Sequence, residues 1–175
     1  MNRRSILSLS AITTMALAGI ALSAGEALAQ QKTLKEQLVG SWRLVSDEAT
    51  PPTGPKRQDF GANPRGILIL DAGGLYAQVH GRTDRPKFKA SADARLVTPA
   101  AEYGEAARAF AGNFGTWSVN EADKTLSRRY EAALIPNVEG TDTKASVSLS
   151  GDELKLTTTS PVTGVRTDQV YRRAK

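Results

Sequence analysis

The chain has 175 residues, with 23 Lys plus Arg against 18 Asp plus Glu, one His, no Cys and 40% apolar residues, which is the make-up of one globular domain. Without Cys there is no disulfide framework, no thiolate nucleophile and no Cys-ligated metal, and one His cannot build a multi-His metal centre. No metal site and no cofactor are expected, so function falls to hydroxyl and carboxyl oxygens, amides, Arg, Lys and aromatic rings.

Residues 1–29 read as a signal peptide. Asn2-Arg3-Arg4 is a cationic start, Ile6 to Ala24 is an apolar run without charge, and Ala27-Leu28-Ala29 is a small-x-small cleavage signature. The protein is therefore expected to be exported, either periplasmic or secreted. A membrane anchor would need about 20 strongly apolar residues, and Ser, Thr and Gly dilute this run, so no stable span is expected after cleavage. The two arginines followed by Ser5-Ile6-Leu7 loosely resemble a twin-arginine signal, which leaves the export route open. Setting aside Arg3, Arg4 and Glu26 leaves 21 basic and 17 acidic groups in residues 30–175. That excess is too small to imply nucleic-acid binding, and a monomer or weak self-associator is expected.

Thr33-Leu34-Lys35-Glu36 is a capping box that predicts a short helix, with Gly40 ending the turn. Gly40 to Ser46 alternates with period two, placing Trp42 and Leu44 on one face of a strand. Residues 47–64 hold four of the eight prolines, Pro51, Pro52, Pro55 and Pro64, and predict a long loop. Gly66 to Leu70 is a continuous apolar strand, Asp71-Ala72-Gly73-Gly74 is turn chemistry, and Leu75 to His80 alternates again, which makes a hairpin. Gly81 to Val97 is basic and lacks a period. Thr98-Pro99 then opens a helix as N-cap and first helical residue. Its stripe is Tyr103, Ala107, Phe110 and Ala111, and Gly112-Asn113 ends it.

The last third predicts five strands, Phe114–Val119, Thr125–Leu134, Thr141–Leu149, Glu153–Thr159 and Arg166–Arg172, separated by turn-forming residues. Eight short strands at hairpin spacing predict an all-β, eight-stranded antiparallel up-and-down β-barrel, closed so that no edge is exposed. Two of the strands begin with Gly-x-Trp, at Gly40-Ser41-Trp42 and Gly115-Thr116-Trp117. Each Gly allows a close bend and each Trp folds over the end of the core. Arg172-Arg173 offers a guanidinium to stack on an indole.

Several short motifs in order carry a family resemblance. They are Gly74-x-Tyr76-Ala77-Gln78, Arg82-x-Asp84-x-Pro86-Lys87-Phe88, Phe114-Gly115-Thr116, Glu121-Ala122-Asp123-Lys124-Thr125-Leu126, Pro136-Asn137-x-x-Gly140-Thr141 and Ser150-Gly151-Asp152-Glu153-Leu154-Lys155. From Leu38 to Arg173 the chain resembles the bacterial lipocalin-like domain family. The resemblance implies a lipocalin-type or avidin-type barrel and says little about activity. This chain departs from the family pattern at Arg129 (His there), Val138 (Trp) and Ala145 (Arg), which puts any chemistry that depends on those groups in doubt.

The candidate binding residues are Tyr76, Gln78, Trp117, Arg129, Glu131 and Asn137. Period two puts Tyr76 with Gln78, and Arg129 with Glu131, on shared faces. Facing inward, they supply the convergent polar groups of a small-molecule site. Facing outward, Arg129 and Glu131 are a surface pair, and the other face of their strand carries Leu126, Tyr130 and Leu134 but also Arg128. Arg82, with Arg85, Lys87 and Lys89, offers a second site for an anion, set against the usual reading of a charge run as a solvated loop. His80 is the one imidazole, and as a general base it would need a nucleophile and an orienting carboxylate, of which Asp84 is near in sequence.

The leading expectation is an exported carrier of one small, largely apolar molecule, with an anionic end among the options, that performs no chemistry. Leu68 and Leu70 would exclude water while Gln78, Arg129 and Asn137 select the polar end. The alternatives are a cofactor-free enzyme in which Glu131 or Tyr76 moves a proton, and a packed structural barrel without ligand.

Overall fold

The computed structural model describes residues 32–89 and 99–175. The expected signal peptide and the Thr98 cap lie outside the described residues, and Pro99 is the N-cap of its helix rather than the first helical residue. The elements in chain order are α1 (Leu34–Leu38), β1 (Gly40–Thr50), β2 (Arg65–Leu70), β3 (Leu75–Gly81), α2 (Ala100–Arg108), β4 (Phe110–Asn120), β5 (Thr125–Ala133), a 3-10 turn (Pro136–Val138), β6 (Asp142–Ser150), β7 (Glu153–Thr159) and β8 (Arg166–Arg173). The eight strands form a closed barrel in sequence order. Closure is made by β8 on β1, antiparallel from Trp42 opposite Arg173 to Thr50 opposite Arg166. Among the described residues no helix is long and apolar enough to cross a membrane.

Local chemistry explains the frame. The Thr33 side chain accepts from Glu36 N while Glu36 reaches back to Thr33 N at 2.8 Å, so both ends of the predicted capping box are made. In the β2–β3 turn, Asp71 Oδ1 accepts from Gly73 N at 2.6 Å and Gly74 takes φ +95°, which disfavours a side chain.

One end of the barrel is filled by Leu38, Trp42, Leu44, Leu68, Leu70, Leu126, Val147, Leu154 and Leu156. Trp42 Nε1 donates to Leu38 O at 2.8 Å, which ties α1 across this end. Arg173, rather than its exposed neighbour Arg172, lies 4.1 Å from the centre of the Trp42 ring and donates to Gln37 O and Val39 O at 2.7 and 3.3 Å. The guanidinium thus satisfies carbonyls at the helix end while covering the indole. The second Gly-x-Trp does not begin its strand, since Gly115 lies inside β4 at an irregularity in its pairing with β5, but its indole is anchored likewise, with Trp117 Nε1 donating to Asp71 O at 2.9 Å.

Two boundaries differ from the sequence reading by more than one residue. Helix α2 stops at Arg108, so Phe110 and Ala111 belong to β4, opposite Gly81 and His80. Pairing with β3 outweighs the helical spacing of these apolar residues. Strand β1 continues to Thr50 through an irregularity between Leu44 and Ser46. That irregularity resets the alternation, leaving Val45 exposed and turning Asp47 and Ala49 inward.

Candidate functional site

Above the apolar layer the barrel interior turns polar. Arg128 on β5 is 4% exposed, and its Nη1 donates to Gln78 Oε1 on β3 at 2.6 Å. The Gln78 amide nitrogen donates to Gln169 Oε1 at 3.1 Å and to the Tyr171 hydroxyl at 2.7 Å, both on β8. Tyr171 donates to Gln169 Oε1 at 3.0 Å, and Gln169 Nε2 donates to Asp47 Oδ2 on β1 at 2.7 Å. Two amides and a phenol therefore connect a buried cation to a buried carboxylate on the other side of the barrel. Such burial is costly unless every member of the network is paired.

Pairing here is incomplete. Tyr76 Oη, His80 Nδ1, Asn113 Oδ1 and Arg128 Nε are buried without a hydrogen-bond partner among the described residues. Arg128 also lies over the Tyr76 ring, 5.6 Å from its centre. His80 Nε2 is 4.0 Å from Asp47 Oδ2, and the Phe60 ring meets His80 edge-on with centroids 4.4 Å apart. Burial, with the Arg128 charge acting in the same direction, pushes His80 down to about 4, so the imidazole is neutral at neutral pH. Burial raises the Asp47 carboxyl, an effect that the Gln169 hydrogen bond opposes and Asp59 reinforces. Burial likewise raises the Tyr76 and Tyr171 phenols, which stay protonated.

An apolar cleft of about 330 Å³ opens beside this network, lined among others by Phe60, Phe110, Asn113, Tyr130, Leu134 and Val138. The hydrogen-bonded residues of the network do not themselves line it, but two of its residues neighbour that network along the strands. Asn113 pairs with Gln78 across β3 and β4, and Tyr130 sits opposite Gly115, itself opposite Tyr76. The volume is at the lower end of the range for small-molecule sites.

A family model for a lipocalin-like domain matches residues 39–174. The chain belongs to the lipocalin-like domain family. No curated protein sequence matches it. Among solved structures, a designed fluorescence-activating β-barrel has a TM-score of 0.38 at 10% identity, covering 78% of this chain and 93% of its own. Fatty-acid-binding protein 1 of Echinococcus granulosus has a TM-score of 0.38 at 14% identity, covering 80% and 99%. A mutant of the fluorescent protein UnaG has a TM-score of 0.36 at 12% identity, covering 79% and 97%.

In this lipocalin-like barrel the residues singled out by sequence separate into two groups. Tyr76, Gln78 and Trp117 are buried, Gln78 within the polar network, Tyr76 against Arg128 with its hydroxyl unpaired among the described residues, and Trp117 near the apolar end. Arg129 is exposed and 3.4 Å from Asp142, and Glu131 is exposed as well, so the β5 face that carries them points outward. Asn137 is exposed in the 3-10 turn, next to Val138, which lines the cleft. Arg82 is exposed and grips Asp84 through two hydrogen bonds of 2.8 and 2.7 Å. The carboxylate near His80 is Asp47, not Asp84. Of the three departures from the family pattern, Arg129 is on the outside, Val138 is in the cleft wall and Ala145 is in the packed core.

The sequence reading did not pick out Arg128, Asp47, Asn113, Gln169 or Tyr171 as site residues. For Arg128 a signal existed, since it follows the apolar Leu126 at period two. For Asp47 none did, because the β1 irregularity hides its facing.

Proposed function

We propose that this protein is an exported carrier that seats one small, largely apolar molecule in the cleft with its polar end toward Arg128 and Tyr76, and leaves that molecule chemically unchanged. The observation that carries this reading is the apolar cleft whose Asn113 and Tyr130 neighbour Gln78 and Arg128 along the strands, with Arg128 Nε and Tyr76 Oη both lacking partners among the described residues. A ligand oxygen meeting those donors would remove the cost of leaving them unpaired, about 1–3 kcal/mol for each group. A guanidinium favours an anionic oxygen above a neutral one, which supports a carboxylate or similar acid as that end. Export rests on the cationic start, apolar run and Ala-x-Ala site of residues 1–29.

Native mass spectrometry of protein taken from its host's cell envelope tests both parts. The expected result is a chain shortened by residues 1–29 with a bound mass of a few hundred daltons, in keeping with the cleft volume. Protein found unshortened in the cytoplasm, or free of any bound molecule and indifferent to added apolar acids, overturns the proposal.

A further inference from the structure

The interior already balances its own charge, and this constrains how an acid can enter. Arg128 contributes one positive charge, Asp47 one negative charge, and the chain of Gln78, Tyr171 and Gln169 connects them. A ligand that brought a second negative charge into the same buried space would leave it uncompensated, at a large electrostatic cost. A proton acceptor is already in place: His80 Nε2 lies 4.0 Å from Asp47 Oδ2, and His80 Nδ1 has no partner among the described residues. Among the described residues the other titratable or charged groups on the interior are Tyr76 on the same strand, Arg128 and Tyr130 on β5 and Tyr171 on β8, while Asp59 acts on Asp47 from the β1–β2 loop. Across the neighbouring strands His80 meets Gly66 on β2 and Ala111 on β4, neither of which titrates.

We infer that the acid group of the ligand enters the barrel together with one proton, which is held by the Asp47–His80 pair, so that capture is favoured by acid and release by alkali. This rests on the binding reading above and adds how capture and release are controlled. The sign follows from the fields involved. The Arg128 charge helps to keep His80 unprotonated. An anion set against Arg128 cancels that field, so His80 accepts a proton more readily and the pair as a whole gains one. By linkage the same proton strengthens the hold on the anion. The window lies between about 4, where His80 titrates without ligand, and the ordinary histidine value of about 6.5. Within it, affinity for an anion rises as the pH falls, by up to about tenfold per pH unit when one full proton is taken up.

A carboxylic ligand would itself titrate in this window, so the test uses 8-anilinonaphthalene-1-sulfonate, which stays anionic throughout. Its neutral analogue N-phenyl-1-naphthylamine serves as the control. Titration calorimetry of the unsubstituted protein at pH 5, in two buffers with different heats of protonation, counts protons directly. The expected result is uptake of between half a proton and one proton per sulfonate bound and none with the neutral probe, with the uptake lost in His80→Gln. Near-ultraviolet circular dichroism at each pH confirms that the native fold is present. Sulfonate binding with no proton uptake between pH 4 and pH 7 overturns the coupling and leaves the carrier reading standing. Failure of both probes to bind the folded protein overturns the carrier reading, and the coupling falls with it.

Discussion

Arg128 and Arg129 stand back to back on β5. Arg128 is 4% exposed with its guanidinium on Gln78, whereas the Arg129 side chain is 58% exposed and 3.4 Å from Asp142. Equal charges one residue apart are thus predicted to behave oppositely on substitution.

Arg129→Ala is expected to change stability by less than about 0.5 kcal/mol, since an exposed ion pair contributes little. Arg128→Met is expected to cost about 3–5 kcal/mol, because it leaves the buried Asp47 carboxylate without its balancing charge and Gln78 Oε1 without its donor. The same change should weaken binding of an anionic apolar probe at least tenfold and leave a neutral analogue unaffected. Urea denaturation and fluorescence titration read the two effects. Equal loss of both probes in Arg128→Met would show that the guanidinium does not recognise charge.

Replacing Arg173 should be more damaging than its surface position implies. Its guanidinium covers Trp42 and donates to Gln37 O and Val39 O. Arg173→Ala is expected to cost about 2–4 kcal/mol, from the lost stacking and two charge-assisted hydrogen bonds. Arg173→Lys should recover only part, since an ammonium cannot stack and donate twice in the same plane. Thermal unfolding of the pair, with Arg172→Ala as the comparison, checks the ranking.

Acid should weaken the fold through His80. The imidazole titrates at about 4 when folded and near 6.5 in an unfolded chain. Between those values the unfolded chain holds more protons, so stability is greatest above about 6.5 and falls as the pH drops toward 4, by about 3 kcal/mol in total. Asp47 acts in the opposite sense, because its raised folded value makes stability fall as the pH rises through the region just above 3.8. His80→Gln should therefore flatten the loss on acidification, and Asp47→Asn should steepen it. Denaturant midpoints measured from pH 4 to pH 7 give the slopes.

Gly115 should tolerate no side chain. A Cβ there would collide with the carbonyl oxygen of Arg129 and lie 2.8 Å from Glu131 N. The collision is with backbone, at the irregularity between β4 and β5, where relief by a side-chain rotation is impossible. Gly115→Ala is expected to cost about 2–3 kcal/mol, whereas Gly140→Ala, with nothing within 4 Å of its Cβ, carries only the strain of its positive φ. Comparing the two in chemical denaturation separates collision from conformational strain.

Much of the barrel is written in short-range chemistry. Period-two alternation, turn residues at hairpin spacing, the Thr33–Glu36 capping box and the Gly40-Ser41-Trp42 strand start each act over a few residues. They therefore determine eight strands, their order and the apolar end without reference to distant contacts. Which side chains meet in the interior depends on register and on irregular strand pairing, which no local pattern encodes. On β1 the break between Leu44 and Ser46 turns Asp47 inward, and on β5 the pairing of Trp117 with Arg128 decides that Arg128, not Arg129, is enclosed. Alternation alone shows that two residues share a face; only closure of the barrel decides which face is shut away from water, and so which arginine becomes a buried charge.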